Sequence, residues 1–178
     1  LGAKPAFIFS HGISNSSQWP TYHIAYGATK YTYLNSTIGA NTYSFFWNNT
    51  EPTASVFSIG SDADISASGK DYLCLAFAPV EGYSKISEYT STGTNNFVFT
   101  GFRPAFLIAK RVVSTLDSSY EGWVMFDSKR GAFNINSESL YANKNQSEGK
   151  RGNDTAAEST FGVDFLSNGF CFKDPSTE

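Results

Sequence analysis

Two stretches of this chain are nearly the same: Leu-Gly-Ala-Lys-Pro-Ala-Phe at residues 1–7 and Thr-Gly-Phe-Arg-Pro-Ala-Phe at residues 100–106. Behind each copy the likeness continues at a drifting offset. Trp19, Tyr22, His23 and Gly27 answer to Trp123, Phe126, Asp127 and Gly131, and residues 57–59 answer to 170–172. Solenoid repeats run about 20 to 50 residues, and this unit is far longer. The sequence therefore predicts two β-rich half-units, about 1–99 and 100–178, combining into one domain over 1–178. The second half reads as truncated. After residues 57–59 the first half runs on into Asp71-Tyr72-Leu73-Cys74-Leu75-Ala76-Phe77-Ala78, whereas the second reaches Glu178 before any counterpart. By the repeat, the slot beside the strand ending near Lys173 is expected to be filled by further polypeptide or by a neighbouring subunit, because an open apolar edge is a liability.

Composition supports a strand-and-turn fold. Hydrophobic residues make up 40% of the 178 positions, enough for a packed core. Sixteen Phe and ten Tyr against a single Met suit pleated sheets, where aromatic side chains pack well. The net charge of −3 gives no global field for nucleic acid or an anionic membrane. Cys74 and Cys171 sit in apolar strands and read as two buried free thiols. No signal peptide, lipidation motif or transmembrane run is found.

Strands are predicted at residues 6–10, 21–26, 31–35, 43–47, 56–59 and 72–78 in the first half, and at 105–113, 122–127, 163–166 and 170–173 in the second. Residues 83–89 and 97–100 lie between them as further strands. In 72–78 both alternating faces are apolar, with Leu73, Leu75 and Phe77 against Cys74, Ala76 and Ala78, so a central strand covered on both sides is expected. Residues 106–110 read the same way. No linker-like stretch separates the halves. The fold class predicted is all-β, a two-layer antiparallel sandwich built from the duplication.

Chemistry of the enzymatic kind is thin. His11 and His23 both fall in the first half without partners at metal-ligand spacing, and no nucleophile elbow occurs. A sandwich-fold glycosidase would need paired carboxylates about 5 to 9 Å apart. Glu81 and Glu88, seven residues apart, fall on opposite faces of a regular strand. Asp62 and Asp64 share a face in a Gly/Ser-flanked turn, where a solvated turn is the stronger reading and Ca²⁺ the weaker. The aromatic residues are more informative. Trp19, Tyr22, Trp47 and Trp123, with Asp127 beside the last, are candidate sugar-binding residues, since flat rings flanked by Asn or Asp hold saccharides. Against that, Trp19 and Trp123 recur with an aromatic a few residues on, as a core-packing motif does, and both are expected to be mostly buried.

The order of motifs carries a resemblance. Trp19-Pro20-Thr21-Tyr22-His23, Gly27-Ala28-Thr29-Lys30-Tyr31, Leu34-Asn35-Ser36-Thr37, Trp47-Asn48-Asn49-Thr50, Val56-Phe57-Ser58-Ile59-Gly60 and Ala67-Ser68-Gly69-Lys70-Asp71-Tyr72 resemble a repeated domain of virion and tail-fibre proteins of marine tailed bacteriophages. So do Ala76-Phe77-Ala78-Pro79-Val80-Glu81-Gly82-Tyr83 and Asp164-Phe165-Leu166-Ser167-Asn168-Gly169-Phe170. The resemblance implies a concanavalin-like (laminin-G-like) jelly roll on the outside of a virion, with no catalytic residues. The function it implies is non-enzymatic: a structural and adhesion module contacting a host-surface glycan or neighbouring virion proteins, itself included. The alternatives are a sandwich-fold glycoside hydrolase and a secreted eukaryotic lectin-like protein, the latter allowed by sequons at Asn15, Asn35, Asn48, Asn145 and Asn153.

Overall fold

Pro5 and Pro104 have no amide hydrogen to give a ladder, and in each case a strand starts two residues further on. The structure is a computed structural model that describes residues 1–92, 95–112, 122–131, 133–149 and 162–173; Asn153 and the loop at 114–119 lie outside them. The fold is mostly β, in antiparallel sheets. The chain divides into two compact units, residues 1–80 with 84–88, and residues 81–83 with 89–178.

In the first unit, β1 (Phe7–Gly12), β2 (Pro20–His23), β3 (Lys30–Tyr33), β4 (Asn41–Thr42) and β5 (Tyr72–Phe77) form a five-stranded sheet in the order β4-β3-β2-β1-β5. Along β1 the burial alternates: Ile8, Ser10 and Gly12 point inward, Phe7, Phe9 and His11 outward. Ile8 and Tyr22 meet Ala28, Phe46, Trp47 and Ile65 in the core. Two of those come from α1 (Ser44–Trp47), a helical turn where the sequence predicts a strand at 43–47. Its neighbours Phe46 and Trp47 are both buried, which an alternating strand cannot arrange and a helical turn can. Asn48, left-handed at φ 51°, ends the turn. A second turn, α2 (Ala63–Ser66), supplies Ile65. Residues 56–59 and 83–89 are not strands; the latter region has only the Val80–Ser84 bridge.

The second unit holds β6 (Asn96–Phe99), β7 (Phe106–Ala109), β8 (Val124–Asp127), β9 (Leu140–Tyr141), β10 (Gly162–Leu166) and β11 (Gly169–Lys173), in sheets ordered β10-β11-β6 and β7-β8-β9. Its core takes Phe126, Leu107, Ala109 and Val124 from one sheet and Val163, Phe165, Phe170, Phe172 and Val98 from the other. Burying these faces against each other is what drives the packing.

The two units share a pairing scheme. Phe7 stands opposite His23 and Ile8 opposite Tyr22; Phe106 stands opposite Asp127 and Leu107 opposite Phe126. Ile24 N–H donates to the Ala6 carbonyl at 2.9 Å, and Ser128 N–H to the Ala105 carbonyl at 2.9 Å. One strand further on, Pro20 pairs with Tyr33 and Val124 with Tyr141.

Two expectations about edges are corrected. Residues 72–77 are neither central nor covered: β5 pairs with β1 alone at the end of its sheet, with Leu73, Leu75 and Phe77 exposed by 48, 40 and 47%. Cys74 is exposed too, so only Cys171 of the two free thiols is buried, although partial desolvation still pushes the Cys74 thiol up to about 11. Two apolar faces describe the side chains and leave open what lies over them. Nor is a slot open beside the strand ending at Lys173, because β11 is the middle strand between β10 and the chain's own β6. On β7, Phe106 is 58% exposed, so the start of that strand is open on the Phe106 side, while Leu107, Ile108 and Ala109 are partly buried.

Phe46 is 1% exposed and its neighbour Phe45 52%. Phe46→Ala is expected to lower unfolding stability by about 3–5 kcal/mol, and Phe45→Ala by far less, in urea melts followed by tryptophan fluorescence.

Candidate functional site

Trp19, just ahead of β2, is held by its backbone. Its N–H donates to Asn35 Oδ1 at 3.0 Å, and its carbonyl accepts from Leu34 N–H at 2.9 Å. The indole is half-buried and lies over the outer face of the sheet. Its centroid is 4.2 Å from His11 and 6.5 Å from Phe9, nearly parallel to the latter at 10°. From Phe9 the aromatic contacts continue to Phe77 and Phe7, and from Phe7 to His23 and Tyr26. These side chains share a face because Phe7 pairs with Phe77, Phe9 with Leu75 and His11 with Leu73. The result is a band of rings, partly open to solvent, running from β5 across β1 to β2.

Polar groups border the Trp19 end of the band. Gly12 N–H donates to Ser17 Oγ at 3.2 Å, and a Cβ on Gly12 would strike Asn15 Oδ1, so a larger residue there would push the Asn15 side chain aside. Asn15 Oδ1 and His11 Nδ1 are shielded from water and accept no hydrogen bond. An acceptor left so costs free energy until a donor meets it. Gln18 N–H donates to Asp64 Oδ1 at 3.1 Å, which pins the loop to α2.

The remaining sequence candidates are placed as follows. Tyr22 is fully buried, donates to Glu51 Oε2 at 2.7 Å, and has its hydroxyl pKa raised chiefly by burial. Trp47 is buried edge-on against Tyr22. Neither ring offers a face to a ligand. Trp123 is buried at 5% exposure, yet its surroundings repeat those of Trp19: its N–H donates to Asn143 Oδ1 at 2.9 Å, its carbonyl accepts from Ala142 at 3.1 Å, and Lys110 Nζ sits 5.7 Å from the ring centre. The two tryptophans thus hold like backbone positions, Trp123 buried and Trp19 only partly exposed.

Asp127 is a turn staple. Its Oδ1 accepts from Lys129 and Arg130 N–H at 2.9 and 3.0 Å, and its Oδ2 is 2.7 Å from Arg130 Nε. The backbone bond from Lys129 leads the causes that hold its carboxyl below the ordinary carboxylate range. At the paired position of the first unit, His23 Nδ1 accepts from Ala25 N–H at 3.1 Å. Asp62 caps α2 through Asp64 N–H at 2.8 Å and accepts the Tyr43 hydroxyl at 2.8 Å, so both Asp62 and Asp64 are engaged in holding the loop. Among the described residues no group of three His, Cys, Asp or Glu could hold a metal ion, and no helix is long and apolar enough to cross a membrane.

Sequence reasoning passed over Phe7, Phe9, His11 and Phe77, the body of the band. The alternation of Phe7, Phe9 and His11 with small or aliphatic residues was the available signal. It also passed over a cavity of about 200 Å³ in the second unit, lined by Arg103, Ser128, Gly131, Phe133, Asn134 and Phe165.

Over residues 1–178 the chain matches the family described as Domain of unknown function (DUF7483), and it belongs to that family. No curated protein and no solved structure matches it.

Burial lowers the pKa of His23 from its usual 6.5, against a smaller opposing pull from Glu88. The unfolded chain therefore takes up this proton first as pH falls, so His23 is expected to cost stability below about 6.5 and nothing above it. Urea midpoints across the acid side of neutrality should fall less steeply for His23→Gln than for the parent protein.

Proposed function

We propose that this protein is a non-enzymatic structural and adhesion module of a virion, part of a tail fibre, spike or similar appendage, and that its surface contacts a host glycan. The observation that carries this reading is the partly exposed Trp19 ring, stacked on Phe9 and tilted against His11, beside Asn15. A flat apolar face bordered by the polar side chains of Asn15 and Ser17 suits a sugar, which presents C–H groups on one side and hydroxyls at its rim. The ordered motifs that resemble phage virion domains support the setting.

In this reading the domain is a concanavalin-like sandwich made by internal duplication. Support comes from the like registers of β1 with β2 and β7 with β8, and from the Trp–Asn tie present in both units. The exposed Leu73, Leu75 and Phe77 favour contact with neighbouring virion proteins or with another copy, because such rows are usually interaction surfaces. Aromatic and amide groups bind and orient, and among the described residues the carboxylates beside the Trp19 loop, Asp62 and Asp64, are engaged in holding it, which favours adhesion over hydrolysis.

The test is binding of the protein to host cells and to an array of surface glycans. Trp19→Ala is expected to reduce binding about tenfold, near 1.4 kcal/mol, while Phe45→Ala leaves it unchanged. Release of shortened glycan, or full binding by Trp19→Ala, would overturn the proposal. Finding the chain in purified particles by mass spectrometry checks the virion setting separately.

A further inference from the structure

Glu51 fills a particular place in the first unit. Its Oε2 lies 3.9 Å from Lys4 Nζ, the cation just before Pro5, and accepts the Tyr22 hydroxyl at 2.7 Å. Its Oε1 accepts Ala28 N–H at 2.7 Å and comes within 3.0 Å of where a Cβ on Gly27 would stand. A carboxylate thus sits between the cation ahead of β1 and the glycine turn after β2.

At the corresponding places the second unit has Arg103, just before Pro104, and Gly131. Both line the cavity of about 200 Å³. Among the described residues none lining it is acidic, and none forms an ion pair or hydrogen bond with the Arg103 side chain. The nearby Arg130 is taken by Asp127 and Glu148. Asn134 spends its amide on the Phe165 backbone, at 3.1 and 3.3 Å. That leaves the Arg103 guanidinium and the Ser128 hydroxyl as side-chain polar groups able to serve a ligand. Phe133, on the same cavity, is 85% exposed.

The geometry points to a carboxylate-bearing saccharide, a uronate-type sugar, as the ligand of this cavity. Its carboxylate takes the place beside Arg103 that Glu51 takes beside Lys4, where the planar guanidinium can hold both oxygens. The Ser128 hydroxyl meets a ring hydroxyl, and the apolar side of the ring rests on Phe133. The choice of a sugar over another carboxylate rests on the glycan reading above and on that bare aromatic face.

Two-dimensional amide NMR of the whole protein, titrated with glucuronate, glucose and acetate in turn, tests this. Glucuronate is expected to shift the amides of Arg103, Ser128 and Gly131 saturably, glucose to leave them in place, and acetate to bind at least tenfold more weakly than glucuronate. Arg103→Gln should weaken glucuronate at least tenfold and Phe133→Ala several-fold, with unchanged thermal melts because both side chains are exposed. Absence of saturable shifts, equal binding of acetate, or full affinity in Arg103→Gln would each overturn the assignment. Trp19→Ala should leave the titration unaltered, so failure here and failure of the cell-binding test are separate results.

Discussion

A slip of β2 by one residue against β1 would turn Tyr22 out to solvent and bring His23 toward the core beneath Ile8, so the first unit depends on what locks that register. The locks lie at the strand ends. Ala6 and Ile24 close one end by a backbone bond. Trp19 closes the other, held to the third strand through its carbonyl and to Asn35 through its amide. The side-chain amide here does the work of one more ladder bond, at a point where Pro20 cannot donate. The second unit uses Ala105 with Ser128 and Trp123 with Asn143 in the same places. With the ends tied, Phe126 and Leu107 follow to the inner face as Tyr22 and Ile8 do.

What differs between the units is as informative as what recurs. His23 and Asp127 accept backbone hydrogens in the turn after the second strand, one with an imidazole nitrogen and one with a carboxylate. His11 and Lys110 sit over the two tryptophans, as an aromatic contact in one unit and as a cation over the ring in the other. Each pair shares a geometric task and differs in charge. The turn and the ring contact therefore constrain shape more than chemistry.

Much of this was legible in the sequence. The Pro-Ala-Phe echo and the match of Tyr22 to Phe126 and His23 to Asp127 marked positions that take like places in the two pairing schemes, because residues facing a core keep their spacing along a strand, while the pairing itself came only from the structure. The turn at Ser44–Trp47 was hidden because aromatic content alone suggests a strand, while two adjacent buried rings require a tighter backbone. The place of β5 was hidden for a different reason: a pattern of side chains reports what a strand could bury, not which layer comes to cover it. For the site, sequence singled out Trp19 but not the rings on which it rests, since those are brought together by strand pairing across long separations. Tyr22 and Trp47 were chosen for their ring type, and burial assigns them to the core.

The position of β5 also bears on how the first unit moves. Among the described residues the strand is tied to the sheet by a single ladder, and Leu73, Leu75 and Phe77 keep 40–48% of their surface in water, so detaching it uncovers less apolar surface than detaching a central strand would. Segments of that kind open well below the free energy of global unfolding. Amides of β1 that face β5 would then exchange with solvent through this local opening, whereas those facing β2 wait for the core around Tyr22 and Trp47 to come apart. One strand, β1, thus carries two protection regimes on alternate residues, and the boundary between the slow and fast parts of the unit runs down its length.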